Sequence, residues 1–286
     1  MSDRIGIEVK HVTKTYGANK ALDDISINFQ KETIYGLLGR NGAGKTTLFN
    51  VITNRIFPTS GEVLIDGQPA TENDYAQEKI YMMSEQNCYP ETYSVNDVFK
   101  CTKAFYPDFD QEMAKDLCKK FNLNPKKGIS QLSTGYGSIY KLITALCVKA
   151  DYILLDEPVL GLDANHRDLF YQCLLESYAK NPRTFILSTH LIEEVANLVE
   201  QVIIIKDGRV IRNESCEELL SSGYSVSGTI AVVDEFIRGK KVIGETVLGG
   251  LKTVSILGRC EKANIPAGIE ITKLDLQKLF IDLTNC

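Results

Sequence analysis

Two stretches of this sequence carry residues spaced to hold phosphate. The first, Gly39-Arg40-Asn41-Gly42-Ala43-Gly44-Lys45-Thr46-Thr47, fits G-x-x-x-x-G-K-[ST]. The backbone N–H groups of Asn41, Gly42, Ala43, Gly44, Lys45, Thr46 and Thr47 form a nest for nucleotide phosphates. Lys45 then bridges the β- and γ-phosphates, and the Thr46 hydroxyl ligates Mg²⁺. The second, Leu132-Ser133-Thr134-Gly135-Tyr136-Gly137, sets hydroxyls and glycines ahead of a helical pattern. Bare N–H groups at a helix N-terminus, beside small side chains, also make an anion site. One domain with two phosphate loops needs an explanation.

Acidic and imidazole groups complete the constellation. The apolar run Tyr152-Ile153-Leu154-Leu155 ends in Asp156 and Glu157. Two carboxylates closing a buried strand are costly unless they face an ion. Asp156 therefore reads as a Mg²⁺ holder, directly or through water, and Glu157 as the group that polarises an attacking water. His190, after the run Thr184–Thr189, is placed to hydrogen-bond a γ-phosphate.

These residues need an α/β frame. Residues 6–30 alternate apolar and polar and read as edge strands of an antiparallel sheet. The run 33–39 reads as a strand buried on both faces, followed by the phosphate loop and a helix. Strands are expected again at 61–67, 151–157, 184–189 and 201–208. Apolar residues three and four apart mark a helical insert at about 87–150, roughly 60 residues long. From about 221 to 286 the sequence turns Val/Ile/Thr/Gly-rich and reads as a small appended α+β domain after a main domain at 1–220.

Composition narrows the function classes. The 286-residue chain is 44% hydrophobic and 24% charged, a globular balance with ample length for a core. A net charge of −5, spread along the chain, disfavours nucleic acid as a partner. No apolar run is long enough to span a membrane, and the first ten residues lack a signal-peptide core, so a cytoplasmic protein is expected. The eight cysteines are scattered without a C-x-x-C pair and read as reduced thiols.

Taken in order, Tyr16, the phosphate loop, Gln86, "LSTGYG" at 132–137, "ILLDEP" at 153–158, "GLD" at 161–163 and His190 resemble the nucleotide-binding subunit of ABC transporters over about residues 5–220. The resemblance implies a P-loop NTPase core of the ABC ATPase type, with an antiparallel β subdomain, a helical insert and a small C-terminal α+β extension. It also implies why two phosphate loops coexist. Ser133 and Gly135 contact ATP held by the phosphate loop of a second ATPase subunit, and Asp163 crosses the same interface. Tyr16 then stacks on adenine, and Gln86 reaches Mg²⁺, with Glu85 the neighbouring alternative.

The signature departs from the family's Leu-Ser-Gly-Gly-Gln at Thr134 and Tyr136. The function implied is ATP hydrolysis, with Glu157, His190 and Lys45 catalytic, powering a separate membrane-spanning permease at the inner face of the membrane. The pattern from "LSTGY" to "LDEPVLGLDANHRDLF" is similar to exporters of peptides or antimicrobials. The alternative is a soluble ABC-type ATPase switch not coupled to transport.

Overall fold

The computed structural model describes residues 5–260 and 266–285. The start of the N-terminal stretch, Cys286 and residues 261–265 of the C-terminal extension lie outside the described residues.

The parallel sheet that carries the site is built from short apolar strands: β3 (Ile34–Leu38), β6 (Ile80–Met83), β7 (Tyr152–Asp156), β8 (Thr184–Thr189) and β9 (Gln201–Lys206). An antiparallel edge strand, β10 (Arg209–Ser215), completes the order β10-β9-β3-β8-β7-β6. Strands β3, β7 and β8 are buried at every position. Their residues still obey the two-residue period. Tyr35, Leu37, Tyr152, Leu154 and Ile186 face one hydrophobic cluster. Leu38, Ile153, Leu155, Phe185 and Leu187 face the other.

The first face packs on the helix after the phosphate loop, α1 (Lys45–Ile52), and on a second sheet. That sheet comprises β1 (Ile5–Tyr16), β2 (Asn19–Gln30), β4 (Ser60–Ile65) and β5 (Gln68–Pro69) in the order β2-β1-β4-β5. It is antiparallel, as expected, but β1 is not an edge strand. It pairs with β2 on one side and β4 on the other. A short helix, α2 (Asp74–Gln77), follows it.

The opposite face is covered by α3 (Val95–Phe105), α4 (Gln111–Lys120), α5 (Thr134–Cys147) and α6 (Ala164–Lys180). Helices α3 and α4 begin at side-chain caps, Ser94 and Asp110, and carry apolar stripes that meet α5. Buried Arg183 closes the far end of α5, donating to the Val148 carbonyl, to the Leu146 carbonyl at 2.7 Å and to Ser177 Oγ at 3.0 Å. Burial pushes its guanidinium down to about 10. Two short helices, α7 (Ile192–Val195) and α8 (Cys216–Ser221), flank β9 and β10.

The C-terminal residues form a third, antiparallel sheet. It contains β11 (Gly223–Thr229), β12 (Lys241–Leu248), β13 (Leu251–Leu257) and β14 (Glu270–Lys273) in the order β12-β13-β11-β14. With α9 (Ile230–Phe236) it encloses a small cluster of Tyr224, Val226, Val233, Val254 and Ile256. The last helix, α10 (Leu276–Asn285), does something composition did not signal. Its Leu276, Leu279 and Phe280 join the large cluster of the main body. Among the described residues, no helix is long and apolar enough to cross a membrane.

Candidate functional site

Parallel strands deliver the site at their carboxyl ends, the usual ligand edge of an open α/β sheet. The register sets Leu38 beside Thr189 and Asp156 beside Ser188. The phosphate loop leaves β3, Glu157 follows β7 and His190 follows β8, so all three arrive together.

The loop's geometry depends on Gly44, which has φ 110° and serves as the N-cap of α1. A Cβ there would fall 2.5 Å from the Ala21 carbonyl oxygen, so only glycine fits. Lys45 is folded back and buried, its Nζ donating to the Gly39 carbonyl at 2.7 Å and lying 3.3 Å from Glu157 Oε1. Thr46 Oγ1 donates to Asp156 Oδ2 at 2.8 Å. The other oxygen of Asp156 accepts from Ser188 Oγ at 2.5 Å.

Ser188 also fixes Glu157. The Glu157 backbone N–H donates to Ser188 Oγ and to the Ser188 carbonyl, each at 3.1 Å. Those bonds hold Glu157 at φ 46°, left-handed backbone that a non-glycine residue adopts only under constraint. Its Oε2 lies 2.8 Å from His190 Nδ1. Lysine, carboxylate and imidazole thus form one chain.

A cleft of about 760 Å³ opens over these groups, lined by the phosphate loop, Tyr16, Glu85, Glu157 and His190. Tyr16 is half exposed at the mouth, with Lys14 Nζ 5.2 Å from its ring centre. A neighbouring cavity of about 460 Å³ brings Ser133 and Thr134 to the same carboxylates, Asp156 and Glu157. Ser133 caps α5, its Oγ accepting from the Tyr136 backbone N–H. Gly135 and Asp163 line neither cavity. Asp163 instead caps α6, and the His166 backbone N–H and ring hold its carboxyl below the usual carboxylate range.

Glu85 and Gln86, the two alternatives for the Mg²⁺-linked residue, line different hollows. The residue that lines the cleft is Glu85; Gln86 lines a separate groove with Arg55, Met83, Tyr89 and Tyr106. Lys141 on α5 anchors this loop, its Nζ donating to the Ser84 carbonyl at 3.1 Å and to the Glu85 carbonyl. Tyr140 adds a bond from its hydroxyl to Asn87 Oδ1 at 3.3 Å. Burial lowers the Lys141 pKa, as the cost of seating an ammonium under that loop.

Sequence reasoning missed Ser188 and Lys141. Ser188 left a trace, a hydroxyl in the last turn of a buried strand beside another strand's acid; Lys141 reads as one polar residue on a helix.

A strand–loop–helix phosphate site, with a strand-end acid pair and a strand-end histidine, defines a P-loop ATPase of the cassette type. The ABC transporter family profile matches residues 22–160. The chain is 29% identical over 213 residues to the ABC transporter ATP-binding protein YtrB of Bacillus subtilis, covering 74% of this chain and 73% of that one. It is 30% identical to the uncharacterised ABC transporter ATP-binding protein YhaQ of the same organism, covering 80% and 78%. Its fold also matches the dimeric, post-hydrolysis structure of the ATP-binding cassette MJ0796 bound to ADP and phosphate. There the TM-score is 0.65 at 26% identity, over 73% of this chain and 98% of that one. The chain belongs to the ABC transporter ATP-binding family. It binds ATP and is an ATPase.

Proposed function

We propose that the chain hydrolyses ATP as one of a pair of cassettes, identical or sibling, that drive a separate membrane-spanning permease. Each ATP lies between the phosphate loop of one subunit and Ser133 and Gly135 of the other, with Asp163 crossing the interface. The observation that carries this reading is the Lys45–Glu157–His190 chain, set beside a second helix N-terminus at Ser133. Water attacks the γ-phosphorus in line. Glu157 accepts its proton, the bond to the ADP oxygen breaks, and ADP and phosphate result.

The oxygen-only pairing of Thr46 and Asp156 fits a hard divalent cation. These two residues would hold Mg²⁺, which supplies neutralisation of phosphate charge. Tyr16 at the mouth of the cleft is the stacking surface for adenine.

The 221–286 segment is an accessory domain that stabilises the pair. The permease docks beside the 84–89 loop and the helices that follow it, which places the chain at the cytoplasmic face of the membrane. The signature pattern at 132–136 and 161–170 supports export of peptides, antimicrobials or other amphipathic compounds.

Phosphate release by purified protein, with Glu157→Gln as control, tests the chemistry; equal inertness of both, with and without a membrane partner, would sink it. Cysteines placed at 133 and 41, which keep Lys45 in place, in a Glu157→Gln chain trapped with ATP test the pairing. Cross-links confined to single chains rule it out.

A further inference from the structure

Tyr136 and Thr134 are the two places where the signature departs from its family, and Tyr136 lines neither cavity of the site. Its ring meets the edge of the His166 imidazole, centroids 6.1 Å apart at 63°. The opposite side of His166 is stacked on Phe121 at 6.2 Å and 14°. His166 Nδ1 lies 2.8 Å from Asp163 Oδ2. One hydrogen bond and two close approaches also join the same two segments. Ser138 Oγ donates to the Leu160 carbonyl at 2.8 Å. A Cβ on Gly135 would fall 2.8 Å from the Gly161 carbonyl oxygen, and one on Gly161 would fall 3.1 Å from Thr134 Cγ2.

We propose that His166 is a positioning residue that latches, within one chain, the loop carrying Ser133 and Gly135 to the loop carrying Asp163. The proposal rests on the reading that both loops face a partner's nucleotide. Separately, each is the entry to its own helix, Ser133 capping α5 and Asp163 capping α6, with its position set by that helix alone. Latched, they present one surface, so Ser133 and Asp163 meet the partner in a fixed relation. The entropy of ordering two loops is then spent on folding rather than on association. Tyr136 supplies the ring that His166 leans on, which gives the departure from glutamine a purpose in this chain. The bond from the His166 backbone N–H to Asp163 Oδ1, at 2.9 Å, survives side-chain truncation, so the α6 cap is kept in the test variants.

The test uses the full chain carrying Glu157→Gln, with His166→Ala, Tyr136→Ala, both together, or Tyr136→Phe. Amide exchange without nucleotide reads the latch itself. Each alanine variant is expected to raise exchange about tenfold across 134–140 and 160–166 together. The double variant should go no further, and Tyr136→Phe should match the parent. ATP-driven self-association is the second readout. It should weaken about tenfold, or about 1.4 kcal/mol, while ATP affinity of the single chain stays constant.

Exchange that rises in one segment only, or additive effects of the two alanines, overturns the latch. So does undiminished association in a parent that associates. A parent that never associates with ATP sinks the shared-nucleotide reading instead, and the exchange result then decides the latch.

Discussion

His190 Nδ1 stands 2.8 Å from Glu157 Oε2, while the other oxygen of the same carboxylate stands 3.3 Å from Lys45 Nζ. Glu157 thus neutralises the lysine that the proposed triphosphate would claim. With Lys45 engaged by phosphate, His190 would be the side chain left to orient the carboxylate, while Ser188 holds the Glu157 backbone. Glu157→Gln should therefore slow phosphate release by about 10²–10⁴-fold, the range for loss of a general base. His190→Ala should act in the same direction, because the carboxylate loses its remaining guide. Equilibrium binding of ATP should survive both. Parallel loss of binding and turnover would show that the pair only holds the loop together.

Ser188 is the hinge of the acid pair, donating to Asp156 and accepting from the Glu157 backbone. Ser188→Ala takes the donor from a buried Asp156 oxygen and leaves the Glu157 N–H only the residue-188 carbonyl. Urea unfolding should report a loss of about 1–3 kcal/mol. Since the loosened backbone also misplaces Glu157, kcat should fall more than KM rises. A change in KM alone would mean that Ser188 serves binding and not the acid.

The extent to which the site could be read from sequence followed from how local each signal is. The phosphate loop was legible because strand, glycines, lysine and helix occur within twenty-odd residues and each constrains the next. Asp156 and Glu157 were legible because charge at the end of Tyr152–Leu155 contradicts the burial of that strand. Which of Glu85 and Gln86 lines the cleft was not, because a loop has no period. The loop is anchored by Lys141, more than fifty residues further along the chain at a position with no local mark. The interior place of β1 was hidden for the same reason: alternation fixes which face is buried, not how many neighbours a strand has. Helix α10 joins the main cluster through Leu279 and Phe280, a packing choice that composition cannot express.

Asp66 is one carboxylate through which acid weakens the fold; it accepts from Lys31 at 2.8 Å, Lys79 at 2.6 Å and the Tyr152 hydroxyl at 2.6 Å. Burial opposes its ionisation, yet the three donors prevail and its pKa is lowered. A depressed carboxylate stabilises the fold above its unfolded value, near about 3.9. The contribution drains away as pH falls below that value and through the folded one. Asp66→Asn should thus be less stable than the parent at neutral pH, with the gap closing in acid. Thermal melts between neutral pH and about pH 3 measure it; a constant gap would mean that the loss is packing, not charge.

Lys141 is the residue through which the helix after Ser133 grips the 84–87 loop. Lys141→Met keeps the aliphatic stem and removes the donor, so α5 should remain packed while Ser84 and Glu85 lose their anchor. Exchange at 84–89 should rise about tenfold, with exchange in β6 and β7 unchanged. Lys141→Arg, which also donates, should restore most of the protection. If permease docking reads this loop, Lys141→Met should uncouple ATP hydrolysis from the membrane partner while the basal rate persists. Protection of 84–89 that is indifferent to residue 141 would show the loop is held by Tyr140 and Asn87, and the helix-to-loop linkage would have to be redrawn through them.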